Sequence, residues 1–330
     1  MNPMKRTMWS KRQFLLGAAA GLAAPAIARA EPMRLRLGHG LPTTHPVHPS
    51  LELFADSIRE KSGGAIEITI FPDGQIGQEV DLIAQGQAGK LDFLKVSASV
   101  LEKTASAFRI FSLPFMFRDR AHWASVTRNG VGEAILAAVQ PFGLRGLTYY
   151  DAGSRSFYAR TPIEHPDALR GMKIRIQASP TMTEMMRLFG AEGVVMPWEQ
   201  VYPALKNRFV DGAENSVVAL IVGRHGEVVT HYAFDEHTMV PDVLLVSLAR
   251  WQSFTPTQQN VVREAAQASY QRMNELWGAF ETQCRSQSEA MGVTFTYPDK
   301  RPFVEKAAPL VRAFADDPIL LQLKQRIEQS

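Results

Sequence analysis

The chain has 330 residues, 45% of them hydrophobic and 21% charged, with 36 Lys and Arg against 33 Asp and Glu. That composition excludes disordered, collagenous and coiled-coil classes, and the length accommodates one large domain or two. The formal charge of +3 misleads, because residues 1–30 hold five basic residues and no acid; the remainder has 31 basic against 33 acidic residues and no general attraction for nucleic acid or anionic lipid.

Residues 1–30 read as an export signal. Lys5, Arg6, Lys11 and Arg12 form a positive start, Phe14 to Ala24 is an apolar run, and Ala28-Arg29-Ala30 is a small-x-small cleavage site before Glu31. Ser10-Lys11-Arg12-Gln13-Phe14-Leu15-Leu16 resembles a twin-arginine signal with Lys in place of the first Arg, so the Tat and Sec routes both stay open. The run is shorter than the roughly 20 apolar residues a bilayer needs, and no later segment is longer. A periplasmic mature protein is expected.

Residues 34–37 give a short strand. Leu51, Phe54, Ala55 and Ile58 recur at helical spacing, and Gly63-Gly64 ends that helix. Ile66, Ile68 and Ile70 alternate as a half-buried strand, which Pro72-Asp73-Gly74 turns. Val80, Leu82 and Ile83 predict a helix closed near Gly86 to Gly89, and Leu91 to Val96 predicts a third strand. This βαβαβ opening predicts a largely parallel sheet with helices on its faces.

Gly143 to Tyr150 is a further strand. Met172, Ile174 and Ile176 point one way and Lys173 and Arg175 the other. Ser179-Pro180 caps and opens a helix through Met185, Met186 and Leu188, and Pro197 opens another through Val201, Tyr202 and Leu205. Val243 to Leu248, apolar throughout, reads as a central strand. Thr255-Pro256-Thr257-Gln258 fits a capping box, and no breaker stronger than Gly278 follows before Gly292. A helix of that length spans roughly 50 Å, enough to lie across two lobes.

Motifs of catalysis are sparse: G-x-S-x-G, H-E-x-x-H, P-loop and G-x-G-x-x-G are all missing from the sequence. Cys284, the one cysteine, falls within the long helix and reads as packed; alone it allows neither an intrachain disulfide nor a cysteine-rich metal motif. His39, His45 and His48 share a segment made rigid by Pro42, Pro46 and Pro49, which reads as a loop lining a cleft more readily than as a metal site. Asp235, Glu236 and His237 are consecutive and cannot all face one point. No metal and no cofactor are expected.

What remains is cationic groups beside strand ends. Arg175 lies on a polar strand face, Arg155 follows Gly153-Ser154, and Asn215 follows the turn at Asp211-Gly212. An Arg fork takes a carboxylate in bidentate fashion, so two Arg and an Asn converging in a cleft suit an organic acid. Each Arg singly reads more readily as a surface ion pair.

Several segments in this order and spacing resemble one family. They are Gln75-Ile76-Gly77-Gln78-Glu79 with Gly86 and Gly89, Leu113-Pro114-Phe115-Met116-Phe117, Gly171-Met172-Lys173-Ile174-Arg175-Ile176, and Glu199-Gln200-Val201-Tyr202-Pro203-Ala204-Leu205 leading to Val210-Asp211-Gly212-Ala213-Glu214-Asn215. Over residues 33–300 the chain resembles the substrate-binding proteins of tripartite ATP-independent periplasmic (TRAP) transporters, of the DctP type. The resemblance implies an α/β fold: a two-lobed, type II-like clamshell with mixed, largely parallel sheets, a long bridging strand and a long bridging helix. Lobe one is then 33–152 with 241–280, lobe two 153–240 with 281–308, and 309–330 a C-terminal helical extension.

It also implies Arg175 as the partner of a ligand carboxylate, Arg155 as a second ligand-facing arginine, Asn215 as a cleft asparagine and Glu79 as a contact for ligand hydroxyls. Lys95-Val96-Ser97-Ala98-Ser99, the segment from Asp151 to Tyr158, and Asp235-Glu236-His237-Thr238 with Pro241-Asp242-Val243-Leu244 resemble the branch that binds sugar acids such as hexuronates. Lys95, Ser97 and His39 join the expected substrate-binding set. The apolar Ser216-Val217-Val218-Ala219-Leu220-Ile221 departs from that branch and points toward a less polar acid. Expected partners are a small carboxylate and the membrane subunits of a TRAP permease, with no nucleic acid, the chain acting as a monomer and not as an enzyme. C4-dicarboxylate or 2-oxo acid binding, a periplasmic sugar-acid lyase on the same fold with Glu79 or His237 as base, and a ligand-sensing receptor partner are the alternatives.

Overall fold

A computed structural model describes residues 31–330, so the export signal lies outside the described residues. The opening alternation folds as its periodicity predicts. It runs β1 (Met33–His39), α1 (Val47–Lys61), β2 (Ile66–Phe71), α2 (Glu79–Gln87) and β3 (Phe93–Ser97). β1 lies between β2 and β3, parallel to both. Asp73 and Gly74 take φ of 53° and 66° in the turn after β2, the left-handed region for which Asp and Gly are suited.

Between residues 98 and 142 no element had been predicted. Two 3₁₀ stretches, Ala98–Lys103 and Ser106–Ser112, precede α3 (Arg120–Arg128) and α4 (Gly130–Ala137). Asp119 and Asn129 cap these helices through bonds from His122 N–H and Val131 N–H. Short 3₁₀ turns carry no sustained period, so hydrophobic spacing does not mark them.

Next come β4 (Leu144–Tyr150), β5 (Arg155–Ala159), β6 (Lys173–Ile176), α5 (Pro180–Phe189), β7 (Glu192–Val195), α6 (Val201–Lys206), β8 (Gly212–Asn215), α7 (Val218–Val222), β9 (His231–Thr238) and β10 (Asp242–Ser247). The chain closes with α8 (Leu248–Ser253), α9 (Pro256–Ala290), β11 (Thr294–Thr296), α10 (Arg301–Ala313) and α11 (Pro318–Glu328). Ser179 caps α5 as expected, accepting from Met182 N–H. Pro197 does not open a helix directly: a 3₁₀ turn at Trp198–Gln200 intervenes, and α6 starts at Val201.

Two sheets result. The first has the order β2-β1-β3-β10-β4, the second β11-β9-β5-β8-β6-β7. β10 is antiparallel to β3 and β4, and β5 is antiparallel to β8 and β9, so each sheet mixes directions. The chain passes between sheets at residues 151–154, again at 239–241, and a third time through α9 into β11. At the second crossing the expected single long strand is divided into β9 and β10, with Pro241, which lacks an N–H, at the break.

α9 has the predicted capping box, with Thr255 and Gln258 bonding reciprocally, and Gly278 does not interrupt its 35 residues. It packs on α1 and β4 at the first sheet and on α7, which follows β8 of the second. Val262, Ala265, Met273, Trp277 and Cys284 from α9 share one core with Leu51, Phe54 and Ile58. A second core runs from Leu94 and Val96 through Phe111 to Phe157 and Ile174, joining both sheets.

Candidate functional site

β3 and β10 build one wall. Their antiparallel register sets Asp242 opposite Ser97 and Leu244 opposite Lys95. Lys95, Ser97 and Asp242 therefore share a sheet face, with Asp242 diagonal to Lys95. Lys95 is 1% exposed, and its Nζ lies 3.1 Å from Asp242 Oδ1 and 3.7 Å from Glu79 Oε1. Glu79, the first residue of α2, accepts the Ser97 N–H at 2.9 Å. Burial pushes its carboxyl up, against the pull of Lys95, and Asp242 adds to the rise.

The second sheet supplies the opposite wall. β5 and β8 pair so that Ser156 faces Asn215 and Phe157 faces Glu214. Arg155 donates to Glu214 Oε2 at 2.6 Å and Oε1 at 2.8 Å, to the Glu214 carbonyl at 2.9 Å and to Asn215 Oδ1 at 3.2 Å. Its charge is thus already matched.

Arg175, on β6 beside β8, differs. Its Nε and Nη2 both donate to the Met196 carbonyl, at 3.0 and 2.8 Å, which orients the guanidinium without neutralising it. It is 3% exposed, and among the described residues no carboxylate lies within ion-pair distance of it. Burial lowers its pKa, opposed by Glu214. A buried, oriented and unmatched guanidinium is a receptor for an anion, and its planar fork suits a carboxylate.

Between these walls lies a cavity of about 330 Å³. Six of the predicted residues line it together: Glu79, Lys95, Ser97, Arg155, Arg175 and Asn215. His39 does not. It is fully buried, accepts the Leu41 N–H at Nδ1 and bonds His48 through Nε2 at 3.0 Å. Burial first, then Lys95, pushes its pKa down to about 2, so it is a neutral packing residue. His45 lines the cavity instead; burial lowers it to about 3.

Sequence reasoning missed several lining residues. Gln177, just past β6, accepts from Ser97 and Ser99 hydroxyls at 3.2 and 2.8 Å and so ties one wall to the other. Its place at the end of the strand carrying Arg175 was the signal. Trp198 lines the cavity and meets His225 at a ring distance of 5.1 Å. Val195, Val218, Ala219 and Val240 make part of the lining apolar, the second and third from the segment already noted for its lack of polar groups.

Behind Arg155 the charges continue inward. His237 Nδ1 lies 2.7 Å from Asp235 Oδ2, and its Nε2 lies 3.6 Å from Glu214 Oε2, all three residues fully buried. Burial alone would lower the His237 pKa, but Asp235 and Glu214 outweigh it and push it up to about 9. Burial alone would raise Glu214, but Arg155, with His237, holds it down to about 2. Asp235 and His237 do not line the cavity, and Glu236 points away to pair with Lys300. The consecutive trio therefore does not converge on substrate space. Among the described residues no group of three or more His, Cys, Asp or Glu could hold a metal ion. Cys284 is buried, which pushes its thiol up to about 11.

The sequence matches the family described as bacterial extracellular solute-binding protein, family 7 (DctP), over residues 37–317. It is 35% identical over 297 residues to an uncharacterized protein of Salmonella typhimurium, covering 89% of this chain and 90% of the relative. Among solved structures, the fold is similar to a TRAP periplasmic solute-binding protein of Xanthobacter autotrophicus with bound β-D-galacturonate. That likeness has a TM-score of 0.88 at 38% identity over 90% of this chain and 99% of the other. A second, from Anaerococcus prevotii with bound D-glucuronate, gives a TM-score of 0.88 at 31% identity over 90% and 97%.

Proposed function

The chain belongs to the DctP family of bacterial extracellular solute-binding proteins, and from that membership we propose that it is the periplasmic component of a TRAP transporter that captures a hexuronate and delivers it to a membrane permease. The observation that carries the ligand reading is Arg175, a buried guanidinium with no carboxylate within ion-pair distance among the described residues, facing a cavity whose opposite wall offers Lys95, Glu79 and Asp242 to a polyol. The uronates bound by the two solved relatives have this combination of one carboxylate and several hydroxyls.

The two sheets then act as two lobes, 33–152 with 241–280 and 153–240 with 281–308, hinged at the crossings between them. Arg175 on lobe two takes the carboxylate in the open form. Closure brings Glu79 and Lys95 onto the hydroxyls and expels water, and the drier surroundings strengthen the Arg175–carboxylate bonds. A ligand held by both lobes stabilises the closed form, which is the form the permease receives. The substrate leaves chemically unchanged.

The test is a thermal-shift panel on the mature chain with hexuronates, aldonates, C4-dicarboxylates, 2-oxo acids and neutral sugars. Ligand at about 1,000 times its dissociation constant adds roughly 4 kcal/mol, a shift of several degrees. A shift with a hexuronate and none with its neutral sugar is the expected result. Shifts only with C4-dicarboxylates or 2-oxo acids would keep the transporter class and discard the uronate. Conversion of the bound uronate to a new product would replace binding with lyase chemistry.

A further inference from the structure

Seven charged residues line the cavity: Lys95, Arg155 and Arg175 against Glu79, Asp81, Glu199 and Asp242. Their pairing matters more than their number. Arg155 is held by Glu214 through two bonds to its carboxylate. Lys95 is shared by Asp242 at 3.1 Å and Glu79 at 3.7 Å, so one cation serves two acids. Arg175 alone of the three cations has no carboxylate within ion-pair distance among the described residues.

We infer that Glu79 and Asp242 bar a second ligand carboxylate, so that the cavity accepts sugar acids with one carboxylate and rejects the corresponding aldarates. The inference rests on the hexuronate reading above and narrows it. A uronate places its single carboxylate on Arg175, and its hydroxyls donate to Glu79 and Asp242 and accept from Lys95. An aldarate carries a carboxylate at both ends of the carbon chain. One end satisfies Arg175, and the other has to enter a wall with no unmatched cation. There it meets two carboxylates as acceptor against acceptor, with no proton between them. Even with Glu79 protonated, Lys95 remains matched by Asp242 and the wall still has no spare positive charge.

Both acids are placed to act on a ligand. Glu79 is 23% exposed and Asp242 9%, each on the cavity. Their positions are fixed independently of any ligand, Glu79 by the Ser97 N–H and Asp242 by the register of β10 on β3. Like-charge contact in a confined site is a repulsive device, and it sets selectivity without adding affinity.

The experiment is calorimetric titration of glucuronate, gluconate and glucarate into the mature parent, Glu79→Gln and Asp242→Asn. Gluconate and glucarate are both open chains and differ at the far terminus, a hydroxymethyl against a carboxylate, so they separate charge from ring shape. The parent should bind glucarate at least about 100-fold more weakly than glucuronate, and more weakly than gluconate. Either variant should narrow the glucarate-to-gluconate gap by about tenfold, with ligand-free melting temperatures showing that it folds. Glucarate binding within about threefold of glucuronate to the parent would overturn the inference and leave the uronate reading intact. So would an unchanged glucarate-to-gluconate gap in both folded variants. Binding of none of the three by the ligand-free parent would instead remove the hexuronate reading on which the inference stands.

Discussion

Arg155 and Glu214 lie diagonally across neighbouring strands, β5 and β8, and join through two N–H···O bonds of 2.6 and 2.8 Å with both side chains buried. The resemblance had implied that Arg155 is a second ligand-facing arginine. It does reach the cavity, but as a cation already matched, with Nη1 bonded to Asn215. The unmatched charge belongs to Arg175. The two arginines are therefore unequal: one completes the wall and positions Asn215, the other is the one proposed to receive the anion.

Breaking one partner of a buried pair leaves a charge with no counterpart. Glu214→Gln should reduce unfolding stability by roughly 3–5 kcal/mol, read as a lowered urea midpoint. Replacing Arg155 and Glu214 together by Met and Leu should be milder than either single loss, because no orphaned charge remains. A Glu214→Gln midpoint equal to the parent's would show that the pair is not structural.

Arg175→Ala should weaken uronate binding by roughly 2–5 kcal/mol, because the carboxylate then enters a buried site without its counter-charge. Arg175→Lys should also bind poorly, since an ammonium cannot both bond the Met196 carbonyl and present a planar fork. Isothermal titration decides, and parent-like affinity for Arg175→Ala would place the carboxylate elsewhere.

His237 predicts a pH dependence of a definite sign. Its ordinary value of 6.5 rises to about 9 in the fold, so its contribution is complete below pH 6.5 and disappears as pH climbs through 9. Glu214 works oppositely: lowered from 4.5 to about 2, it stabilises above pH 4.5 and ceases to as pH falls toward 2. Melting temperature should be highest between these ranges and drop by several degrees from pH 6.5 to 9. His237→Gln, which cannot titrate between Asp235 and Glu214, should flatten that alkaline slope, and an undiminished slope would exclude His237 as its source.

Gly153 occupies the first crossing between sheets with a φ of +75°. A Cβ there would sit 2.9 Å from Glu281 Oε1 and 3.0 Å from both Ser216 Cβ and Trp277 Cζ2. Gly153→Ala should therefore destabilise by about 1–3 kcal/mol, from backbone strain and from the notch between α9 and the segment after β8. It should also lower uronate affinity, since Asp151, whose carboxylate accepts the Gly153 N–H at 2.8 Å, would shift with the crossing that leads into Arg155. Unfolding and titration on one preparation separate the two effects, and a variant as stable as the parent would show that the crossing has slack.

Whatever depends on near neighbours was legible from the residues alone. Alternation marked β2 and β6, the Thr255–Gln258 box started α9, and Ser179 with Pro180 started α5, because spacing and caps act within a turn or two of the chain. Residues 98–142 escaped that reading, since the 3₁₀ stretches up to Ser112 have no long period and α3 and α4, at nine and eight residues, are too short to show one. The resemblance gathered six residues that the structure brings to one cavity, whereas His39, expected beside them, is not among the lining residues and bonds His48. What only the tertiary structure decided is which charges are matched. Arg155 and Glu214 lie 59 positions apart, Lys95 and Asp242 are joined by strand register, and Arg175 stands beside a carbonyl with no carboxylate within ion-pair distance among the described residues. Periodicity cannot carry that information, because the energy of a buried charge is set by what the fold places within a few ångströms of it and not by its neighbours along the chain.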